Sequence, residues 1–550
     1  MVIVMSMTGK EITEMQKKYN LQSWSAQKNI NPTPVEKAEG IYYWDYDGKR
    51  HTDMSSQLVN LNLGYGNKAI NEAIKEQVDK YCFVGPSLGV ESRAKLAKKI
   101  VDLMPDNMGK VFFTNAGADA NENAIKIARM YTGRNKIFSR YRSYHGSSFG
   151  AGNLTGEPRR FPLEPGVPGF IKFMTPYVYR EAVEFESEEA ATKYYLTKLR
   201  EQIIYENPDN IAAIVMETIT GSNGVIIPPK GYLPGVRKIC DEFGILMICD
   251  EVMAGWGRTG KMFAFENFDV QPDIVTFAKG VTCGYVQLGG CVVSKDIAAY
   301  FDDHVLSCGL TYSAHPLACA AGCACVDYYI DNNILDNVNK VGKVLGEKLE
   351  EEKANFKCVG DVRYIGLFSA IELVRSKETK EPLVPFGKDP EGIMKKIIGM
   401  LAERGFMTYS HENMFFICPP LIITEEQLVE ERHKLQETSD NEKDIKKRLK
   451  EFKKTLEQNE VLDKFDRYVF ESIVEKVIVG GLDENGNVDP AQLTFVYKTG
   501  LKNSVDGAKF KPQRKNARGR HRTDELCSHD SNEVDKMCSD SSNDTCGDGC

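Results

Sequence analysis

The chain has 550 residues, 42% hydrophobic and 27% charged, with 70 basic against 78 acidic side chains and a net charge of −8. Such a length can bury a large core, and the composition excludes collagen-like, wholly disordered and small disulfide-rich classes. No apolar run approaches the roughly 18 residues needed to span a membrane, and the near-balanced charge gives no whole-chain attraction to nucleic acid.

The first ten residues lack the charged and long apolar regions of a secretory signal. The expected location is therefore the cytoplasm, with the 15 cysteines as reduced thiols. In chain order, KVFFTNAG (110–117) predicts a strand and DANENAIKIARMYTG (119–133) the helix after it. Helix-like KYYLTKLREQIIYE precedes the strand IAAIVMET, and helix-like LPGVRKICDEFG precedes the strand ILMICDEV. DIVTFAKG and LGGCVVS are two further short buried strands. Near-continuous apolar strands alternating with helices imply an α/β fold with a mainly parallel sheet covered on both faces. A second unit begins near residue 340, with helices over 338–354 and 391–404 and strand-like YIGLFSAIEL and MFFICPPLII. No internal repeat is found.

The character changes after about residue 430. Residues 431–550 carry 22 basic and 24 acidic side chains. Segment 431–460 reads as one long polar helix, whose apolar residues Leu435, Ile445, Leu449, Phe452 and Leu456 recur near helical intervals. A strand pair, VEKVIVGG and LTFVYKTG, is expected around a turn at Asp483-Glu484-Asn485-Gly486. Residues 511–522 hold six cations and no acid, and the last 28, rich in Ser, Asp, Asn and Cys, are expected to be disordered. The cationic run reads as a solvated charge cluster rather than a DNA contact.

Two residues carry the chemistry. Asp250 ends the strand ILMICD, where open α/β sheets bind ligands, and Lys279 ends DIVTFAKG. Taken singly, each is better read as a surface group or a helix cap. Together they are the protein groups that pyridoxal phosphate needs. The amine forms a Schiff base with the aldehyde, and the carboxylate keeps the pyridine nitrogen protonated so that the ring accepts electrons. Gly117 and Ala118, where a strand turns into a helix, bring backbone N–H groups to an anion such as the cofactor phosphate. Tyr144, before His145 and Gly146, reads either as a ring-stacking aromatic or as a core tyrosine. Cys319, Cys323 and Cys325 read as small core residues, and no metal is expected.

The stretches FFTNAGADANENAIKIAR, RYRSYHGSSFGA, VMETITGSNGV, CDEVMAGWGRTGKMFAFE, PDIVTFAKGVTCGYVQLGG, GLTYSAHPLACAA and CPPLIITEEQL, in that order, resemble the class III, fold-type I pyridoxal-phosphate aminotransferases. The resemblance covers about residues 10–430. Within the family, YNLQSWSAQKNINPTPVEKAEGIYYWD and DGKRHTDMSSQLVNLNLGYG look most like the taurine–pyruvate branch.

The resemblance implies a large domain with a mainly parallel seven-stranded sheet between helices, plus a smaller α+β domain. The expected boundaries are 1–60 for an N-terminal segment of the small domain and entrance, 61–330 for the cofactor-binding domain and 331–430 for the small domain. It makes Lys279 the Schiff-base lysine, Asp250 the partner of the pyridine nitrogen and Val252 the residue on the ring's far face. Gly117 and Ala118 become the phosphate loop, and Tyr144, followed by His145, the stacking aromatic. Glu217 matches a position near the cofactor and Trp24 one near the substrate entrance. Thr311 matches a threonine that reaches the phosphate of the neighbouring subunit, which implies a homodimer.

Two departures stand out. Ala116 replaces a frequent serine of the phosphate loop. His411 stands at or near an expected arginine, and an imidazole cannot form the two-pronged contact of a guanidinium with a carboxylate or sulfonate.

Residues 431–510 are similar to the C-terminal end of large serine recombinases, without the resolvase domain or the zinc-ribbon cysteine pairs. Residues 511–550 form the basic, then acidic and Cys-bearing tail. The implied origin is a gene fusion that replaced the enzyme's last helix.

The expected activity is a ping-pong transamination between an ω-amino acid or aminosulfonate (taurine, β-alanine) and a 2-oxo acid (pyruvate or 2-oxoglutarate). The alternatives are a diamine/ornithine-type aminotransferase or aminomutase, or an inactive fusion with a DNA-contacting tail. No membrane and no nucleic acid is expected as a partner.

Overall fold

The structure is a computed structural model, and it describes residues 7–433 together with the segments 474–482, 488–497 and 502–506. Seven strands make the central sheet: β1 (Met108–Thr114), β2 (Lys136–Arg140), β3 (Phe170–Phe173), β4 (Ile211–Glu217), β5 (Leu246–Asp250), β6 (Ile274–Phe277) and β7 (Gly289–Ser294). Their order across the sheet is β1-β7-β6-β5-β4-β2-β3. Pairs from β3 through β6 are parallel, and β7 alone runs antiparallel to both its neighbours. The sheet is therefore mixed, with one reversed strand in the otherwise parallel sheet that the sequence pattern implied. Every residue of β4 to β7 is buried, which is why those segments read as unbroken apolar runs rather than alternating ones.

Register decides what the carboxyl ends present. Glu217 pairs with Asp250 across β4 and β5, and Asp250 pairs with Thr276 across β5 and β6. Directly paired residues on neighbouring strands face the same side, so these three form one polar row at the sheet's edge. Lys279 follows three residues later, in the short turn Lys279–Val281.

Two smaller sheets complete the body. Strands Val35–Glu39, Tyr42–Asp45 and Arg50–Asp53 join Phe406–Met407 in a four-stranded sheet, so the N-terminal segment shares a sheet with the 331–430 region. The segment YIGLFSAIEL does not form one strand. It breaks at Gly366 (φ +58°), leaving the hairpin strands Val359–Ile365 and Phe368–Leu373, which pair onward with Met414–Ile417 and Ser410–His411. A side chain is excluded at Gly366, because its Cβ would lie 2.7 Å from the Thr259 carbonyl carbon.

Residues Met1–Thr438 form one compact unit and Ser439–Cys550 another. Residues 425–433 are helical, and the helix is tied in place. The buried Glu431 carboxylate accepts hydrogen bonds from Arg50 (2.9 Å) and Thr52 (3.0 Å), while Arg432 lies 3.1 Å from Glu352. The body thus continues past residue 430. The expected polar helix falls, beyond residue 433, outside the described residues, as do the 483–486 turn, the basic run and the acidic tail. The described part of the second unit is a three-stranded antiparallel sheet, Val474–Leu482, Val488–Tyr497 and Lys502–Asp506, one strand more than the sequence suggested. No described helix is long and apolar enough to cross a membrane.

Candidate active site

One cavity of about 1210 Å³ opens at the carboxyl ends of the parallel strands. Lys279, Asp250, Val252, Gly117, Ala118, Tyr144, His145, Glu217, Trp24 and His411 all line it. Thr311 does not. It sits exposed in the turn 311–314, away from this chain's own cavity.

Asp250 is buried and held by three hydrogen bonds. Its Oδ2 accepts hydrogen bonds from Asn121 Nδ2 (2.8 Å) and pairs with His145 Nδ1 (2.6 Å), and its Oδ1 accepts the Val252 N–H (3.0 Å). The contact with an acceptor-only carboxylate places the proton on His145 Nδ1. Glu217 accepts the N–H groups of Tyr144 (3.1 Å) and Gly221 (2.7 Å). Burial raises its carboxyl above the usual range, with a smaller opposing pull from His145. Burial also brings the Lys279 amine down to about 8, against the opposing pull of Asp250 and Glu217. A lysine so placed yields a free amine near neutral pH more readily than a surface lysine. Its backbone is left-handed (φ +48°), an uncommon geometry for a side-chain-bearing residue.

The helix Gly117–Thr132 begins at the cavity wall, and Ala116, its N-cap, supplies no side-chain bond to the first turn. Those first N–H groups are thus left for a ligand anion. Gly117 is required by close approach, because a Cβ there would lie 2.8 Å from Val252 Cγ1. An amine, a buried carboxylate, an aromatic face and an uncapped helix start within one cavity fit a phosphorylated pyridine aldehyde.

The mouth holds residues that the sequence patterns did not single out. The Arg159 guanidinium lies 3.8 Å from the Tyr144 ring centroid and 5.6 Å from that of Trp24. Its Nε donates to Glu157 and its Nη2 to Ser222 Oγ (3.1 Å). Among the described residues, Nη1 has no hydrogen-bond partner. Its signal in the sequence was faint: the first of two arginines in EPRRF, thirteen residues past the YHG stretch. His411 Nε2 lies 3.2 Å from Asn223 Oδ1. Burial, aided by Arg159 and Arg142, pushes its imidazole down to about 4, so it is neutral at physiological pH. Glu412 pairs with Arg142 (3.1 Å) through Oε2, while Oε1 is buried without a hydrogen bond.

Cys319 and Cys325 are buried in the apolar helix Pro316–Asp331. Among the described residues, no group of three or more His, Cys, Asp or Glu is placed to hold a metal ion.

The sequence pattern of aminotransferase class-III matches residues 24–438. A taurine–pyruvate aminotransferase of Bilophila wadsworthia is 33% identical, over 76% of this chain and 95% of that protein. A putrescine–pyruvate aminotransferase of Pseudomonas aeruginosa is 30% identical, over 76% of this chain and 94% of that protein. Among solved structures, the taurine:2-oxoglutarate aminotransferase of Bifidobacterium kashiwanohense, in complex with PLP and glutamate, superposes with a TM-score of 0.77 at 53% identity. That match covers 78% of this chain and 97% of the other.

Proposed function

The chain belongs to the class-III aminotransferases, which are pyridoxal-phosphate enzymes, and we propose that it moves the amino group of an ω-amino acid with a distal anion, taurine foremost, to a 2-oxo acid. The acceptor we favour is 2-oxoglutarate over pyruvate, from the 53% identity with the enzyme of that specificity.

The cofactor, when bound, supplies the electron sink and carries the amino group between the two half-reactions. Lys279 would hold it, with Asp250 at the ring nitrogen, Val252 and Tyr144 on its two faces, and the Gly117–Ala118 helix start at the phosphate. Lys279 Nζ, freed by the incoming donor, carries a proton to and from the substrate Cα. Glu217, buried beside Asp250, anchors the Tyr144 backbone and so fixes that wall of the cavity.

One observation carries the substrate assignment: Arg159 occupies the same cavity as Lys279 with its Nη1 uncommitted. Glu157 and Ser222 hold the guanidinium plane, and Tyr144 and Trp24 supply aromatic faces on which a guanidinium stacks. Neutral His411 cannot supply the positive charge expected at its position, and Arg159 replaces it there. Assay of the holoenzyme with taurine and either 2-oxoglutarate or pyruvate tests the reading. Glutamate formation supports it, whereas no turnover of any ω-amino acid contradicts it.

Glu412 favours a second reading. Its buried, unbonded Oε1 lines the same cavity and suits a distal ammonium, so a diamine donor is the alternative that the same panel tests.

A homodimer completes the reading. Thr311 faces outward beside exposed Tyr312, and Leu88 and Val305 are likewise exposed, apolar surface that suits a second subunit. The cytoplasmic assignment rests on eleven described cysteines, all free thiols. The recombinase-like reading, given to residues 431–510, is kept for the part beyond residue 438, with 511–550 as the tail.

A further inference from the structure

The hydrogen bonds that hold Asp250 begin outside the cavity. Thr276, in β6, is fully buried and does not line the cavity, yet it pairs directly with Asp250 across β5 and β6. Its hydroxyl donates to Asn121 Oδ1 at 2.9 Å. Asn121 is buried on the helix Gly117–Thr132, and its Nδ2 donates both to Asp250 Oδ2 (2.8 Å) and to the His145 carbonyl (2.8 Å).

The two ends of an asparagine amide have nearly the same shape, so its partners decide which end faces which way. Asp250 Oδ2 and the His145 carbonyl are acceptors, and both demand the NH2 end. Thr276 is the donor that occupies the oxygen end and closes the arrangement. In a buried setting each such donor matters, because water is not there to replace it.

We propose that Thr276 is a positioning residue for the reaction. By anchoring the Asn121 amide it holds the NH2 donor in place against the Asp250 carboxylate, and hence fixes where that carboxylate stands to meet a protonated ring nitrogen. The proposal rests on the reading of Asp250 as the partner of that nitrogen.

Thr276→Val keeps the branched shape and removes the donor. Asn121 Oδ1 is then buried and unpartnered, and the amide loses the anchor that holds its NH2 end against Asp250 Oδ2. Thr276→Ser restores the hydroxyl. Asn121→Leu removes the amide altogether.

The test is made by binding. Apo-protein of each variant is titrated with pyridoxal phosphate and with its 1-deaza analogue, in which carbon replaces the ring nitrogen, and dissociation constants are read from fluorescence. The preference of wild type for pyridoxal phosphate should fall by about tenfold or more in Thr276→Val and Asn121→Leu, the scale of a lost hydrogen bond to a charged group. It should stay within about threefold of wild type in Thr276→Ser. Equal weakening of both ligands in Thr276→Val would mean that the residue only packs, and would overturn the proposal. An unchanged preference would overturn it too. A wild type that does not distinguish the two ligands would instead overturn the reading of Asp250, and the proposal with it.

Discussion

At and behind the inner end of the cavity, Asp250, Asn121, Thr276, His145 and the Val252 N–H are joined by hydrogen bonds between 2.6 and 3.0 Å. At its mouth, Arg159, Glu157, His411 and Glu412 come from a loop of the large domain and from a short strand and turn of the small one, and among the described residues they leave a guanidinium nitrogen and a carboxylate oxygen without a hydrogen bond. The Asp250 carboxylate is held by three hydrogen bonds from the protein, so it is pre-organised for one chemistry. The mouth keeps charge in reserve, and that is where substrates are told apart. Substitutions at the inner end should therefore change the rate of every reaction alike, and those at the mouth should change which substrate is preferred.

The largest effect is expected at Lys279. Lys279→Ala removes the group that moves the Cα proton. Turnover with every donor should fall by about three orders of magnitude, within the usual range for a lost general acid–base. Steady-state assay over a donor panel checks this, and a loss confined to taurine would blur the line between the two regions. Next comes Arg159→Gln. A charge-assisted hydrogen bond is worth about 1.5–3 kcal/mol, so KM for taurine and for the 2-oxo acid should rise roughly 10- to 100-fold, with a smaller change in kcat. An amine of the same length without the distal anion should show no such rise.

The amine of Lys279 gives a pH signature for the inner end. In the apo-protein the free amine is the form that captures the cofactor aldehyde, and its value of about 8 means that the free fraction is half at that pH and nearly complete a little above it. The rate of cofactor capture, followed by absorbance, should rise with pH and level off above about 8 rather than near the ~10.4 of an ordinary lysine.

The smallest effect is one of stability, at the mouth. His411 is pushed down to about 4 in the folded protein, against about 6.5 in an unfolded chain. Below pH 6.5 the unfolded chain takes up a proton that the folded one does not. The stability present above 6.5 is thus lost as pH falls toward 4, by roughly 2 kcal/mol at pH 5. His411→Gln removes this loss. The drop in melting temperature from pH 7 to pH 5 should be smaller in the variant, and an equal drop in both proteins would contradict the assignment.

The same contrast explains what was legible in the sequence. Asp250 and Lys279 end buried strands, and Gly117 opens a helix, so periodicity alone places them near one edge of the sheet. The row of Glu217, Asp250 and Thr276 needs the register of three strands, which no local pattern states. The reversal of β7 is equally silent, because a fully buried strand reads the same in either direction. At the mouth, Arg159 sits in the short 3₁₀ segment Pro158–Leu163, surrounded in the sequence by other charged residues, and only the fold sets it against Tyr144 and Trp24. His411 was visible as a departure, but its neutrality depends on burial beside two arginines from elsewhere in the chain. The hairpin break at Gly366 was missed because the apolar run continues across it.

The central claim is that a hydrogen-bonded inner end does the chemistry while Arg159 at the mouth selects the anion. The most direct measurement is a spectral titration of the holoenzyme, wild type and Arg159→Gln, with taurine and with n-propylamine as a donor that lacks the distal anion. The account predicts that wild type responds to taurine at far lower concentration than to propylamine, and that Arg159→Gln loses this difference while its response to propylamine is kept. Equal weakening toward both donors, or an undiminished preference for taurine in Arg159→Gln, would contradict it.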